Sequence, residues 1–158
     1  MNHRIHTALL TAAACLGVGL VPQPAHATGP GAWVVLQNAY TRACLGINTA
    51  IAGPKPVSQV ACRPTNDNSW HLSKDGWLRN GYQSDSCLDT NGTRLYLSVC
   101  NTTDPGQLWE RIPGTTVGVV SRGFPGRALV GWATGTVGLA APGTVDDPAK
   151  YQWKWNWQ

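Results

Sequence analysis

The chain has 158 residues and a formal net charge of +4, but only 13% of its residues are charged, against about 25% in an average globular protein. Its cations form no run, so the concentrated basic footprint of a nucleic-acid binder is absent. Gly (18), Pro (11) and Trp (8) are plentiful, a composition that disfavours helices and favours short strands joined by turns.

Residues 1–27 read as a signal peptide. Arg4 charges the start, Thr7–Val21 is apolar, and Ala25-His26-Ala27 supplies small residues before a cleavage point. The apolar run is shorter than the roughly 20 residues that span a bilayer, which argues against a membrane anchor. The alternative of a lipoprotein cysteine at Cys15 is disfavoured because the apolar run continues past it through Leu20 and Val21. The expected product is a secreted, extracellular, single domain over 28–158 with no membrane span.

That domain holds four cysteines, Cys44, Cys62, Cys87 and Cys100. An even count in an exported chain points to disulfides. Three pairings are open, and the pairing Cys44–Cys62 with Cys87–Cys100 keeps each bridge inside one repeat of the pattern described next. The spacings lack the close Cys pair of a zinc site, and neither a metal nor another cofactor is expected.

Three phrases recur along the chain. Leu36-Gln37-Asn38-Ala39-Tyr40 precedes Cys44-Leu45-Gly46, Leu78-Arg79-Asn80-Gly81-Tyr82 precedes Cys87-Leu88-Asp89, and Val120-Ser121-Arg122-Gly123-Phe124 precedes Ala128-Leu129-Val130. The aromatic positions 40, 82 and 124 are 42 residues apart each time. Each copy closes on a tryptophan, Trp70, Trp109 and Trp153, followed by an alternating strand-like segment. Repeats of about 32–74, 75–115 and 116–158 follow. One such unit cannot bury its own apolar face, whereas three around an axis can share a core. Leu36, Leu78 and Val120, then Leu45, Leu88 and Leu129, then the three tryptophans, are the expected core.

Three units of this length, with a Cys-Leu-Asp in the first third, a second Cys and a closing Gln-x-Trp, resemble the ricin B-chain (QxW) lectin family. The resemblance implies an all-β β-trefoil of twelve strands with pseudo-threefold symmetry. The middle copy carries the pattern best, in Cys87-Leu88-Asp89, Cys100 and Gln107-Leu108-Trp109. The first copy has Gly46 for Asp and Asn68 for Gln. The third has lost both cysteines and has Val130 for Asp and Tyr151 for Gln.

By the same resemblance, a sugar site uses the Asp after Cys-Leu, an aromatic two residues before the second Cys, and an Asn-Gln pair leading into the tryptophan. A carboxylate orients hydroxyls through charge-assisted hydrogen bonds, and an aromatic face offers apolar contact. Gly46 and Val60 empty the first copy of these groups, and Val130 does so in the third. The middle copy keeps Asp89 and Gln107 but has Ser98 for the aromatic and Gly106 for the Asn. Its expected pocket is Asp89, Tyr96 and Gln107, with Asn91 and Asn101 nearby. Competing structural roles are a turn cap for Asp89, a backbone clamp for Gln107 and simple packing for Tyr96. Trp132 is either an exposed platform or partly buried. Asn91 and Asn101 also fit the N-glycosylation acceptor pattern.

The sequence lacks G-x-S-x-G and phosphate-loop motifs, and His71 is the sole histidine after residue 27. No catalysis is expected. The expected function is a secreted carbohydrate-binding module for a glycan or polysaccharide, with at most one working site. The alternatives are a protein-binding trefoil, such as a protease inhibitor or a targeting subunit, and a structural domain whose sites have decayed.

Overall fold

The computed structural model describes residues 32–51, 55–112 and 118–157; the expected leader lies outside them. The first repeat supplies β1 (Trp33–Asn38), β2 (Cys44–Ile47), β3 (Val57–Val60) and β4 (Ser69–Leu72). The second supplies β5 (Leu78–Asn80), β6 (Ser86–Thr90), β7 (Leu95–Val99) and β8 (Trp109–Arg111). The third supplies β9 (Val119–Ser121), β10 (Ala128–Gly131), β11 (Val137–Ala140) and β12 (Trp153–Trp157). The only helices among the described residues are single 3-10 turns before the closing strand of each repeat: Asn66–Asn68, Pro105–Gln107 and Pro148–Tyr151. This is the expected β-trefoil.

All strand pairs are antiparallel. β1 pairs with β4 and with β12, β4 with β5, and β8 with β9. These strands form the wall, and the pairing of Leu36 with Trp155 and of Asn38 with Trp153 joins the first repeat to the last. The wall strands fall in two sheets, β12, β1, β4 and β5 in one and β8 and β9 in the other, with an isolated bridge from Trp77 to Leu108 between them. The hairpins β2–β3, β6–β7 and β10–β11 lie outside that wall.

The core confirms the phase of the repeats. Leu36, Leu45, Trp70, Leu78, Leu88, Trp109, Leu129 and Trp153 are all buried in one cluster. Each closing tryptophan donates its indole N–H to the carbonyl of the Leu that follows the first Cys position. Trp70 bonds Leu45 at 2.8 Å, Trp109 bonds Leu88 at 2.8 Å, and Trp153 bonds Leu129 at 3.1 Å. A large apolar ring is thereby buried with its polar atom satisfied, three times over.

One expected core position is corrected. Val120 is only half-buried, and Val119 takes the inward place with Leu36 and Leu78. The inward residue lies two before the turn residue in every copy: Leu36 before Asn38, Leu78 before Asn80 and Val119 before Ser121. Each of those turn side chains accepts from the backbone N–H of the aromatic that follows, Tyr40, Tyr82 or Phe124. Phe124 stands three residues after Ser121, whereas Tyr40 and Tyr82 stand two after their asparagines, so counting back from the aromatic lands one position late.

Both disulfides form as paired above, with Cα–Cα distances of 4.9 Å for Cys44–Cys62 and 5.0 Å for Cys87–Cys100. The third repeat replaces the bridge by packing: Ala128, Val130 and Tyr151 form a separate buried cluster with Val120, Trp132, Ala140 and Val145 against it.

The third repeat also supports the middle one. A Cβ at Gly123 would overlap the carbonyl group of Pro105 and lie 3.1 Å from its Cβ. Gly123→Ala must therefore push the 3-10 turn at Pro105–Gln107 outward. The expected cost is about 1–3 kcal/mol, read as a lower urea midpoint with unchanged slope.

Candidate functional site

β6 and β7 pair with Asp89 opposite Tyr96 and Cys87 opposite Ser98. Period-two alternation puts Cys87, Asp89, Tyr96 and Ser98 on one face of the hairpin. The 3-10 turn Pro105–Gln107 packs on β6. Asp104 starts that turn, its carboxylate accepting from Gly106 N at 2.8 Å.

Asp89 is 3% exposed. Its Oδ2 accepts from the Ser98 hydroxyl and, at 3.4 Å, from Gln107 Nε2. The turn-cap role is not what the structure shows, since both of these donors are side chains. Its Oδ1 is buried and has no hydrogen-bond donor. A buried polar atom left unpaired costs about 1–3 kcal/mol, more when charged, so this oxygen is an unmet acceptor at the centre of the face.

Gly106 sits over that oxygen. A Cβ there would lie 2.6 Å from Asp89 Oδ1 and 3.2 Å from Asp104 Oδ1, and would overlap the Thr90 carbonyl. The place where the lectin resemblance expects Asn has no room for a side chain in this arrangement. Gly106 is thus explained by close approach, a reason hidden in the sequence.

Gln107 is fully engaged. Its Nε2 also donates to Ser98 Oγ at 2.6 Å and Val99 O at 2.9 Å, and its Oε1 accepts from Asn101 N at 2.7 Å. It is a clamp that holds β7, the following loop and Asp89 together. Tyr96 is half-buried, and its hydroxyl pKa is raised above the ordinary value, first by burial and then by the charges of Asp89 and Asp104. The ring therefore borders an acidic centre with part of its surface open.

Asn91 and Asn101 are exposed and spend their side-chain oxygens on local turns. Asn91 Oδ1 accepts from Thr93 N and Arg94 N at 3.1 and 3.0 Å, and Asn101 Oδ1 accepts from Thr103 N at 3.0 Å. The structure thus brings Asp89, Tyr96 and Gln107 together and leaves the two asparagine side chains at the margin, with no hydrogen bond to Asp89. Sequence reasoning missed Ser98 as a partner of Asp89 and missed Asp104. The Asp-Pro pair at 104–105, a helix-cap signal, pointed to Asp104.

The other two copies are filled. At Gly46 a Cβ would overlap a Val60 methyl and lie 3.3 Å from Asn68 Cβ. In the third copy Val130 and Tyr151 belong to the apolar cluster, and Tyr151 OH bonds Ala141 O at 2.6 Å. Trp132 is half-buried there, its ring 2.9 Å from where a Cβ of Gly138 would stand. Among the described residues no group of three His, Cys, Asp or Glu side chains is placed to hold a metal ion.

Twelve strands in three repeats, each closed by a tryptophan bonded to the same Leu carbonyl position, define a β-trefoil. The ricin-type β-trefoil lectin domain family matches residues 32–129, and the chain belongs to that family. No curated protein matched the chain. Among solved structures, the chain resembles the β-trefoil lectin of the Vibrio vulnificus hemolysin/cytolysin, determined with N-acetyl-D-lactosamine bound. The identity is 21%, the match covers 82% of this chain and 97% of that one, and the TM-score is 0.68. The C-half of an earthworm R-type lectin, in complex with GalNAc, matches at 11% identity over 82% of this chain and 100% of its own, with TM-score 0.64. A non-toxic type II ribosome-inactivating protein homologue from Momordica charantia (bitter gourd), in complex with α-methyl-D-galactoside, matches at 13% identity. That match covers 81% of this chain and 49% of its own, with TM-score 0.65. No described helix is long and apolar enough to cross a membrane.

Proposed function

We propose that the protein is a secreted carbohydrate-binding module with one working sugar site, in the middle repeat. The observation that carries the reading is Asp89 Oδ1, a buried carboxylate oxygen with no donor, on the one repeat that retains the Asp. The corresponding places in the other repeats are Gly46 beneath Val60 and the apolar Val130. A sugar hydroxyl is the donor that this oxygen lacks, and the open part of the Tyr96 ring is the apolar face beside it. Entry requires the single 3-10 turn Pro105–Gln107 to shift from over Asp89, while Ser98 on β7 keeps the carboxylate aimed. Export is supported by the charged-then-apolar leader and by two disulfides, which persist in oxidising surroundings.

The test is a glycan array followed by calorimetry on the best neutral ligand, with wild type and Asp89→Asn. The substitution keeps shape and keeps an acceptor for Ser98, so the thermal midpoint should move little. Loss of a charge-assisted hydrogen bond of about 1.5–3 kcal/mol predicts roughly 10- to 100-fold weaker binding. Unchanged affinity in Asp89→Asn, or no neutral glycan bound by wild type, overturns the reading.

A further inference from the structure

The wall of the trefoil carries a row of side chains that the middle-repeat site does not use. Trp33 on β1 pairs with His71 on β4, and His71 pairs with Arg79 on β5. Their neighbours Val34, Trp70, Leu78 and Asn80 are buried, so alternation turns the three residues outward together. Trp33 is 41% exposed, unusual for so large a ring. It stands against His71 with centroids 5.4 Å apart and an interplanar angle of 48°. It also covers Gly81, where a Cβ would lie 3.3 Å from the Trp33 ring. The next residue, Tyr82, is 52% exposed.

The far end of the row is cationic. The Arg79 guanidinium lies 5.3 Å over the Trp77 ring, and its Nε is buried without an acceptor. Among the described residues no carboxylate forms an ion pair with Arg79. A guanidinium fixed on an indole and lacking an anion is preorganised to take one. The row spans two inter-strand steps, about 10 Å, long enough for a disaccharide or more.

We propose that this wall is a second saccharide surface, independent of Asp89, that takes an acidic sugar chain. A pyranose ring stacks on Trp33, the His71 ring lies alongside, and a uronate carboxylate pairs with Arg79. Aromatic surface alone fits any sugar face or apolar patch. The uncompensated arginine at the end of the row selects the acidic one, because a carboxylate matches its planar fork.

The experiment uses the oxidised full chain with trigalacturonate and a mannuronate trisaccharide, each beside its neutral methyl ester, with titrations followed by tryptophan fluorescence and by indole N–H shifts. At least one uronate is expected to bind, with its ester at least about tenfold weaker. Trp33→Ala and Arg79→Gln should each weaken that binding at least about tenfold, while Asp89→Asn leaves it unchanged. Arg79→Gln guards against a Trp33→Ala variant that loosens β1. The proposal is overturned if neither uronate binds, if the esters or ring-free polyphosphate bind equally well, or if Asp89→Asn removes the binding. A failure here leaves Asp89-dependent neutral-sugar binding standing, and the reverse holds too.

Discussion

Trp109→Ala is expected to cost about 3–5 kcal/mol of stability, the usual toll for emptying a large aromatic site in a core. Trp109 is 1% exposed, and its indole N–H bonds Leu88 O at 2.8 Å. Removing it opens a cavity and strands a buried carbonyl at once. Leu88 directly precedes Asp89 on β6, so the candidate site should loosen with the core. Domains of this size are stable by only about 5–15 kcal/mol. The variant should therefore unfold at a much lower urea concentration and show weaker saccharide binding even where it is still folded. Trp109→Phe should recover part of the loss, since it refills most of the volume but not the hydrogen bond. Trp70→Ala should cost a similar amount through its matching bond to Leu45. A measured cost under about 1 kcal/mol would contradict the account of these rings as the shared centre of three repeats.

Much of this was legible because it depends on residue types that tolerate few substitutes. Buried tryptophans with a bonded N–H and cysteines in register leave a periodic mark, and that mark showed the three repeats; the twelve strands were what the family resemblance implied. What the sequence hid depends on local length and contact. Phe124 stands one residue further from Ser121 than Tyr40 and Tyr82 do from Asn38 and Asn80, so the aromatic spacing pointed to Val120 where Val119 is the core residue. At the site, Asp89 and Gln107 were legible as retained motif positions, and Tyr96 as a residue on the same face. Their division of labour was not. Gln107 spends its amide on Ser98, Val99, Asn101 and Asp89, whereas Asp89 keeps one oxygen unpaired. Gly106 looked like a missing Asn and is a position with no space for a side chain. Contacts across the fold decide these points, and such contacts leave no spacing pattern.

Removal of both disulfides should produce the largest loss of all, and an uneven one. The bridges join residues 18 and 13 apart in sequence. Loops of that size restrict the unfolded chain by about 3 kcal/mol each, so the pair is expected to supply about 6 kcal/mol, as much as the whole stability of many domains. The loss falls on the β2–β3 and β6–β7 hairpins, since Cys44 and Cys87 stand at the base of β2 and β6. The β10–β11 hairpin never had a bridge. It is held by Ala128, Val130 and Tyr151, by Tyr151 OH on Ala141 O at 2.6 Å, and by Thr144 Oγ1 on the same carbonyl at 2.7 Å. Hydrogen exchange on the Cys87→Ala/Cys100→Ala protein should therefore show β6–β7 amides losing protection while β10–β11 amides keep theirs. With all four cysteines replaced, β2–β3 should follow. Sugar binding should fall with the first pair and not with Cys44→Ala/Cys62→Ala alone, because Ser98 and Val99 approach Asp89 and Gln107 from the strand that Cys100 ties down. Early loss of protection in β10–β11, or full binding by Cys87→Ala/Cys100→Ala, would mean that the third repeat's packing does not replace a bridge and that the middle hairpin does not need one.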